Sequence, residues 1–152
     1  MKHFTISERL KSDTALKNKL WNGAPKEAEE NLRSLVEQVL DPLRERYGKP
    51  IRVTSGYRCP KLNTLVGGAP NSQHMRGEAA DIVARSKGAG DCGSSPAMRA
   101  SRDENLKLGQ MIESLGAFDQ LIYEQCDAQG RPAWIHVSYR RWSGNRHQVL
   151  YR

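Results

Sequence analysis

The chain has 152 residues, the size of one domain able to close a core, and hydrophobic residues make up only 38% of it. No apolar run approaches the ~18 residues that a membrane-spanning helix needs, so a transmembrane helix is excluded. Lys and Arg number 24 against 17 Asp and Glu, and the resulting charge of +7 predicts attraction to polyanions: nucleic acid, an anionic membrane or an anionic wall polymer.

The start, MKHFTISERLKS, carries charges where a secretory leader must be apolar, so synthesis in the cytoplasm without a signal peptide is expected. Cys59, Cys92 and Cys126 are odd in number and form no Cys-x-x-Cys pair. They read as reduced thiols rather than a disulfide framework or a thiolate zinc knuckle.

Residues 1–50 read as the helical N-terminal part of a single domain spanning 1–152. A helix begins near Pro25, with Leu32, Leu35, Val36, Val39 and Leu43 recurring at helical spacing until Tyr47-Gly48 stops it. IRVTS, 51–55, alternates as a strand, Pro60 to Val66 suits one short helix closed by Gly67-Gly68, and AADIVA, 79–84, is a second strand. Residues 85–100, rich in Gly, Ser and Ala, predict a mobile loop. Ser101 and Glu104 form a capping-box pattern before a helix whose face is Leu108, Met111, Ile112 and Leu115, ending at Gly116. DQLIYEQ and AWIHVSY then read as a hairpin around the turn-forming DAQGRP. This order predicts an α+β fold with a mainly antiparallel sheet and packed helices.

Chemistry concentrates in two places, SQHMRGEAAD and WIHVS. On the second strand pattern His136 shares a face with Trp134 and Ser138, while Ile135, Val137 and Tyr139 point the other way, so His136 looks into a cleft. His74, Asp81 and His136 offer two imidazoles and a carboxylate, which suits one zinc ion with a fourth position open for water. Two histidines satisfied by ordinary hydrogen bonds remain the alternative at this level.

SGYRCPKLNTLVGGAPNSQHMRGEAADI followed by WIHVSY resembles the zinc D-Ala-D-Ala carboxypeptidase family, which includes VanX-type dipeptidases and phage endolysins. The resemblance covers about Ile51 to Tyr139, and FTISERLKSDTA with NLRSLVEQVLDPLRE is similar to one sub-branch of it. It implies a hedgehog/DD-peptidase-like zinc fold and hydrolysis of peptidoglycan stem or cross-link peptides. Carried over by residue, it implies that His74, Asp81 and His136 ligate zinc, that Arg58 lies near the substrate carbonyl, and that Ser72 and Gln73 occupy the ligand loop, where they meet substrate or orient the imidazole. Tyr57 either lines the cleft or packs in the core.

Many family members carry an acid three positions before the last histidine, where this chain has Ala133. A hairpin centred near Gln129 would pair Glu124 with Trp134 and put its carboxylate on the face of His136, which makes Glu124 the candidate base, with Asp127 in reserve. Glu78 reads as solvent-facing, His3 and His147 as surface histidines, and Cys126 as a small half-buried side chain. The expected protein is a monomer that acts on wall peptides, by carboxypeptidase, endopeptidase or endolysin action, and reaches them by release from the cytoplasm. No membrane or nucleic-acid partner is expected. A metal-bound inert module is one rival reading. A nucleic-acid binder using RRWSGNRHQVLYR, 140–152, is another, although that stretch reads first as a solvated tail.

Overall fold

The computed structural model describes residues 2–7, 12–84, 96–142 and 144–152. Ser12 caps α1 (Asp13–Lys17), its hydroxyl accepting from the Ala15 N–H at 3.2 Å, a short helix absent from the sequence-based expectation. α2 (Lys26–Leu35) follows Pro25 and places Glu27 and Glu29 in its first turn, where the helix dipole favours anions. It buries Ala28, Asn31, Leu32 and Leu35.

The expected continuous helix to Tyr47 is interrupted. Val36–Leu40 widen into a π-turn before α3 (Asp41–Tyr47). Pro42 accounts for this, because it has no N–H to donate and its ring would strike the Gln38 carbonyl in a regular helix. The ladder shifts accordingly, with the Asp41 N–H meeting the Val36 carbonyl. Gly48 ends α3 in the left-handed region at φ 72°.

β1 (Ile51–Ser55), α4 (Pro60–Leu65), a 3₁₀ turn (Gln73–Arg76) and β2 (Ala79–Ala84) come next. α5 (Pro96–Leu115) begins five residues before Ser101, so the expected capping box is not one, and 96–100 are helix rather than loop. A proline suits a helix's first turn. Residues 85–95 of the expected mobile loop, and Cys92 with them, lie outside the described residues. Glu104 instead accepts from the Tyr47 hydroxyl at 2.6 Å and from Lys49 and Lys107. Leu108 and Ile112 are buried, but Leu115 is exposed.

β3 (Gln120–Glu124), β4 (Trp134–Ser138) and β5 (Gln148–Tyr151) complete a five-stranded sheet in the order β1-β2-β4-β3-β5. Three pairings are antiparallel, as expected. β5, drawn from the stretch expected to be a solvated tail, pairs parallel to β3 and makes the sheet mixed.

Alternation divides the sheet cleanly. Ala80, Ile82, Leu121, Tyr123, Ile135 and Val137 face Leu35, Val36, Leu40, Leu43, Leu108 and Ile112 in one buried cluster, which Phe4 also joins. Gly109 is required there, because a Cβ would come within 2.2 Å of the Tyr123 ring, whose hydroxyl donates to Glu113. The opposite face carries Asp81, Ile122, Glu124, Trp134 and His136, and it is not covered by this helical layer. No helix among the described residues is long and apolar enough to cross a membrane.

Candidate metal centre

Two strand residues and one loop residue build the centre. Asp81 and His136 stand directly opposite each other in the β2–β4 register, and Ile122 of β3 stands opposite His136 on the other side. His74 arrives on the 3₁₀ turn. Ser72 caps that turn by accepting from the His74 N–H at 3.3 Å, and Asn31 of α2 donates to the Arg76 carbonyl at 2.9 Å. Gly77 closes it at φ 71°, and a Cβ there would lie 2.1 Å from the Ala28 carbonyl oxygen. Only glycine satisfies both the dihedral and the close approach to α2.

His74 is 1% exposed, and its Nδ1 donates to the Gly56 carbonyl at 2.7 Å. That bond fixes the tautomer and leaves the Nε2 lone pair free. Nε2 lies 3.3 Å from Asp81 Oδ1 and 3.3 Å from His136 Nδ1, and His136 Nδ1 lies 2.9 Å from Asp81 Oδ1. Tetrahedral bonds of ~2.0–2.1 Å put neighbouring ligand atoms ~3.3 Å apart, so this triangle fits one metal ion. Without an ion or a shared proton, two neutral imidazole nitrogens this close would oppose lone pair to lone pair.

The charge states also fit. Burial would raise the Asp81 pKa, but the two imidazoles hold its carboxyl well below the usual range. Burial lowers that of His74, with Asp81 opposing. Near neutral pH the centre therefore presents a carboxylate and a neutral His74, the states in which these groups ligate metals. Two nitrogens and one oxygen suit zinc.

A cleft of about 640 Å³ opens over these atoms and also takes in Arg58, Ser72, Gln73, Glu124 and Trp134. Arg58 follows β1, its backbone N–H donating to the His74 carbonyl at 3.1 Å. Its Nε is buried without a hydrogen-bond partner, and burial lowers its pKa against the pull of Asp81. Glu124 pairs with Trp134 in the register expected, one diagonal step (about 7–8 Å) from His136. The Ala133 N–H donates to the Glu124 carbonyl at 2.8 Å, so the hairpin sets Glu124 beside Ala133.

Other residues lie elsewhere. Tyr57, one of whose two expected places was the cleft wall, packs against Ala28 and Leu32 and does not line the cleft. Asp127 is a turn acceptor, taking bonds from Gln129 and Arg131. Glu78 corrects an expectation: its side chain is 15% exposed and engages Arg76 and Gln73, so it is not solvent-facing. His3 and His147 are exposed, and Cys126 is half-buried.

Sequence reasoning missed Asp119. It is fully buried, and its carboxylate accepts from the Arg146 N–H and guanidinium and from the Gln73 amide at 3.1 Å. Burial pushes its pKa up, but the Arg146 bonds more than offset this and leave it lowered. Its position before the alternating QLIYE run gives no sign of this, because Arg146 reaches it only once β5 pairs with β3.

The sequence model of the Peptidase M15 family matches residues 2–109, more than two thirds of the chain. The chain belongs to the Peptidase M15 family. The Zinc D-Ala-D-Ala carboxypeptidase of Streptomyces albus G is 50% identical over 50 residues, which is 32% of this chain and 20% of that protein. The chain thus matches about a fifth of that relative's length. Arg58, His74 and Asp81 lie inside the M15 match, whereas Glu124 and His136 lie beyond it and join the site through the sheet.

Proposed function

We propose that this chain is a zinc-dependent hydrolase of peptidoglycan stem or cross-link peptides, of the D-Ala-D-Ala carboxypeptidase or endopeptidase type. The observation that carries it is the triangle of His74 Nε2, Asp81 Oδ1 and His136 Nδ1 at the floor of a cleft that Glu124 and Arg58 share, in a chain of the M15 family.

When bound, zinc supplies a Lewis acid and lowers the pKa of water. Asp81 and the two imidazoles hold it, and the Gly56 carbonyl keeps His74 in the ligating tautomer. Glu124 takes a proton from the attacking water as its oxygen bonds to the carbonyl carbon, then delivers that proton to the amine as the C–N bond breaks. Arg58, charged and without a bond for its Nε, faces the developing oxyanion. The cell wall is where such an enzyme acts.

Digestion of purified peptidoglycan by the zinc-loaded protein, with fragments read by mass spectrometry, tests the proposal. New amino termini within or at the end of stem peptides are expected. Intact stems together with stoichiometric zinc would leave an inert metal-bound module, which the alanine at position 133 also fits.

A further inference from the structure

The cleft carries more positive charge than hydrolysis requires. Arg58, Arg76, Arg140, Arg146 and Arg152 line it, against Asp81 and Glu124 as its acidic members. Three of these arginines face a carboxylate of their own: Arg76 meets Glu78 at 2.9 Å, Arg146 meets Asp119 at 2.7 Å, and Arg152 stands 3.8 Å from Glu124. Arg58 is taken up by the oxyanion in the proposed reaction. Arg140 is left over.

Arg140 Nε lies 3.4 Å from Asp119 Oδ2 without making a hydrogen bond, and that oxygen already accepts from Arg146 and Gln73. Two guanidinium groups therefore share one buried carboxylate, which leaves a surplus positive charge. Among the described residues no acceptor meets the terminal nitrogens of Arg140, whose side chain is 32% exposed at the cleft. Its backbone is fixed separately, the N–H donating to Asn145 Oδ1 at 2.8 Å. A planar fork held this way, its Nε beside a shared carboxylate and its terminal nitrogens unmet and partly desolvated, matches the two oxygens of a second carboxylate.

Its place suits a substrate contact. The β2–β4 ladder continues past Ser138, the Tyr139 N–H donating to the Glu78 carbonyl at 2.8 Å, so Arg140 lies four residues from His136. That is at most ~13 Å of extended chain, the length of a few peptide residues. Through Asp119 the arginine also abuts Gln73, the neighbour of His74.

We propose that Arg140 is a carboxylate-recognising subsite of the cleft, taking an anionic group of the substrate peptide within a few residues of the scissile bond. The ligand class rests on the peptidase reading, and the test is kept apart from hydrolysis. Zinc-loaded protein is titrated by NMR with N-acetyl-D-alanine, a monoanion, and with N-acetyl-D-alaninamide, its neutral counterpart. The acid should bind at least ~10-fold more tightly, the scale of one charge-assisted contact. Arg140→Gln should bring the ratio close to one, and Arg140→Lys should retain only part of it, because an ammonium keeps the charge and loses the fork. Arg141→Gln should keep the ratio, since Arg141 pairs with Glu30 at 2.5 Å and lies over Trp142, outside the cleft lining.

Equal binding of acid and amide overturns the subsite, as does a preference that survives Arg140→Gln, which would come from the zinc or another arginine. If Arg140→Gln does not fold, the Lys variant decides by the same ratio, and an undiminished preference there overturns the proposal. Absent hydrolysis with the preference intact strikes the peptidase reading alone. Hydrolysis with equal binding strikes the subsite alone.

Discussion

Asp81 and His136 face each other across an antiparallel strand pair, with Oδ1 of one 2.9 Å from Nδ1 of the other. Their neighbours Ala80, Ile82, Ile135 and Val137 are all fully buried on the far side of the sheet. One register therefore specifies both core and site, and a slip by one residue would send the ligands into the apolar layer while exposing the core positions. The hydrophobic burial that stabilises the fold also holds the two ligand atoms together.

The first prediction concerns that pairing. The folded protein should contain one zinc per chain by elemental analysis after dialysis. His136→Ala should abolish stoichiometric zinc, because the two remaining donors no longer close a tetrahedral face. His136 is on the open face and its loss leaves the buried cluster intact, so the variant should still fold. Full zinc occupancy in it would remove His136 from the ligand set.

Glu124 is testable on different grounds. Its carboxylate has Arg152 at 3.8 Å as an exposed and weak partner, so Glu124→Gln breaks no buried pair and should keep both fold and zinc. Turnover on stem peptides should fall by on the order of 10²-fold or more, the scale of a positioned proton-transfer group. Unchanged turnover would give the role to another residue.

Legibility in the sequence follows the range of the interactions. Strand alternation is local, so the faces of Asp81, Glu124 and His136 could be read from WIHVS, AADIVA and a hairpin length. The π-turn at Val36–Leu40 is also local in cause, since Pro42 was visible, but helical periodicity concealed it. Tyr57 is amphipathic enough for either cleft or core, and only the position of Ala28 and Leu32 on α2 decides between them. The Asp119–Arg146 pair spans 27 residues and depends on parallel pairing by a strand only four residues long. Composition there signalled solvent, because Arg140, Arg146 and Arg152 read as surface charge until the sheet places them at one cleft.

Gly77→Ala provides a test of the ligand loop through the backbone. Alanine at φ 71° is strained, and its Cβ would have to displace the Ala28 carbonyl from 2.1 Å, a backbone atom that cannot turn aside. The cost should be about 2 kcal/mol or more, read by chemical denaturation. Zinc affinity should weaken as well, because the turn that carries His74 must move away from α2. A variant as stable as the parent with unaltered zinc affinity would show that the loop is not seated by this contact.

Asp119 links acid sensitivity to the same loop. Its folded-state pKa lies below the ordinary value of 3.8, so the unfolded chain binds its proton more tightly than the folded one does. The stabilisation is thus fully present above about pH 4 and is lost as pH falls through the lower folded value. Asp119→Asn keeps one carbonyl acceptor but removes the charge that Arg146 meets through its backbone N–H, Nε and Nη2. At pH 7 the variant should be less stable than the parent by roughly 2 kcal/mol, the scale of hydrogen bonds to a buried charged acceptor, because the Arg146 side chain is itself 45% exposed and can be solvated when the charge is removed. Between about pH 4 and pH 2 the parent should lose stability faster than the variant, so the two curves should converge in acid. Denaturant midpoints measured across that range check this. Parallel curves would mean that Asp119 does not titrate differently in the two states, and that the Arg146 and Gln73 bonds hold the loop by geometry rather than by charge.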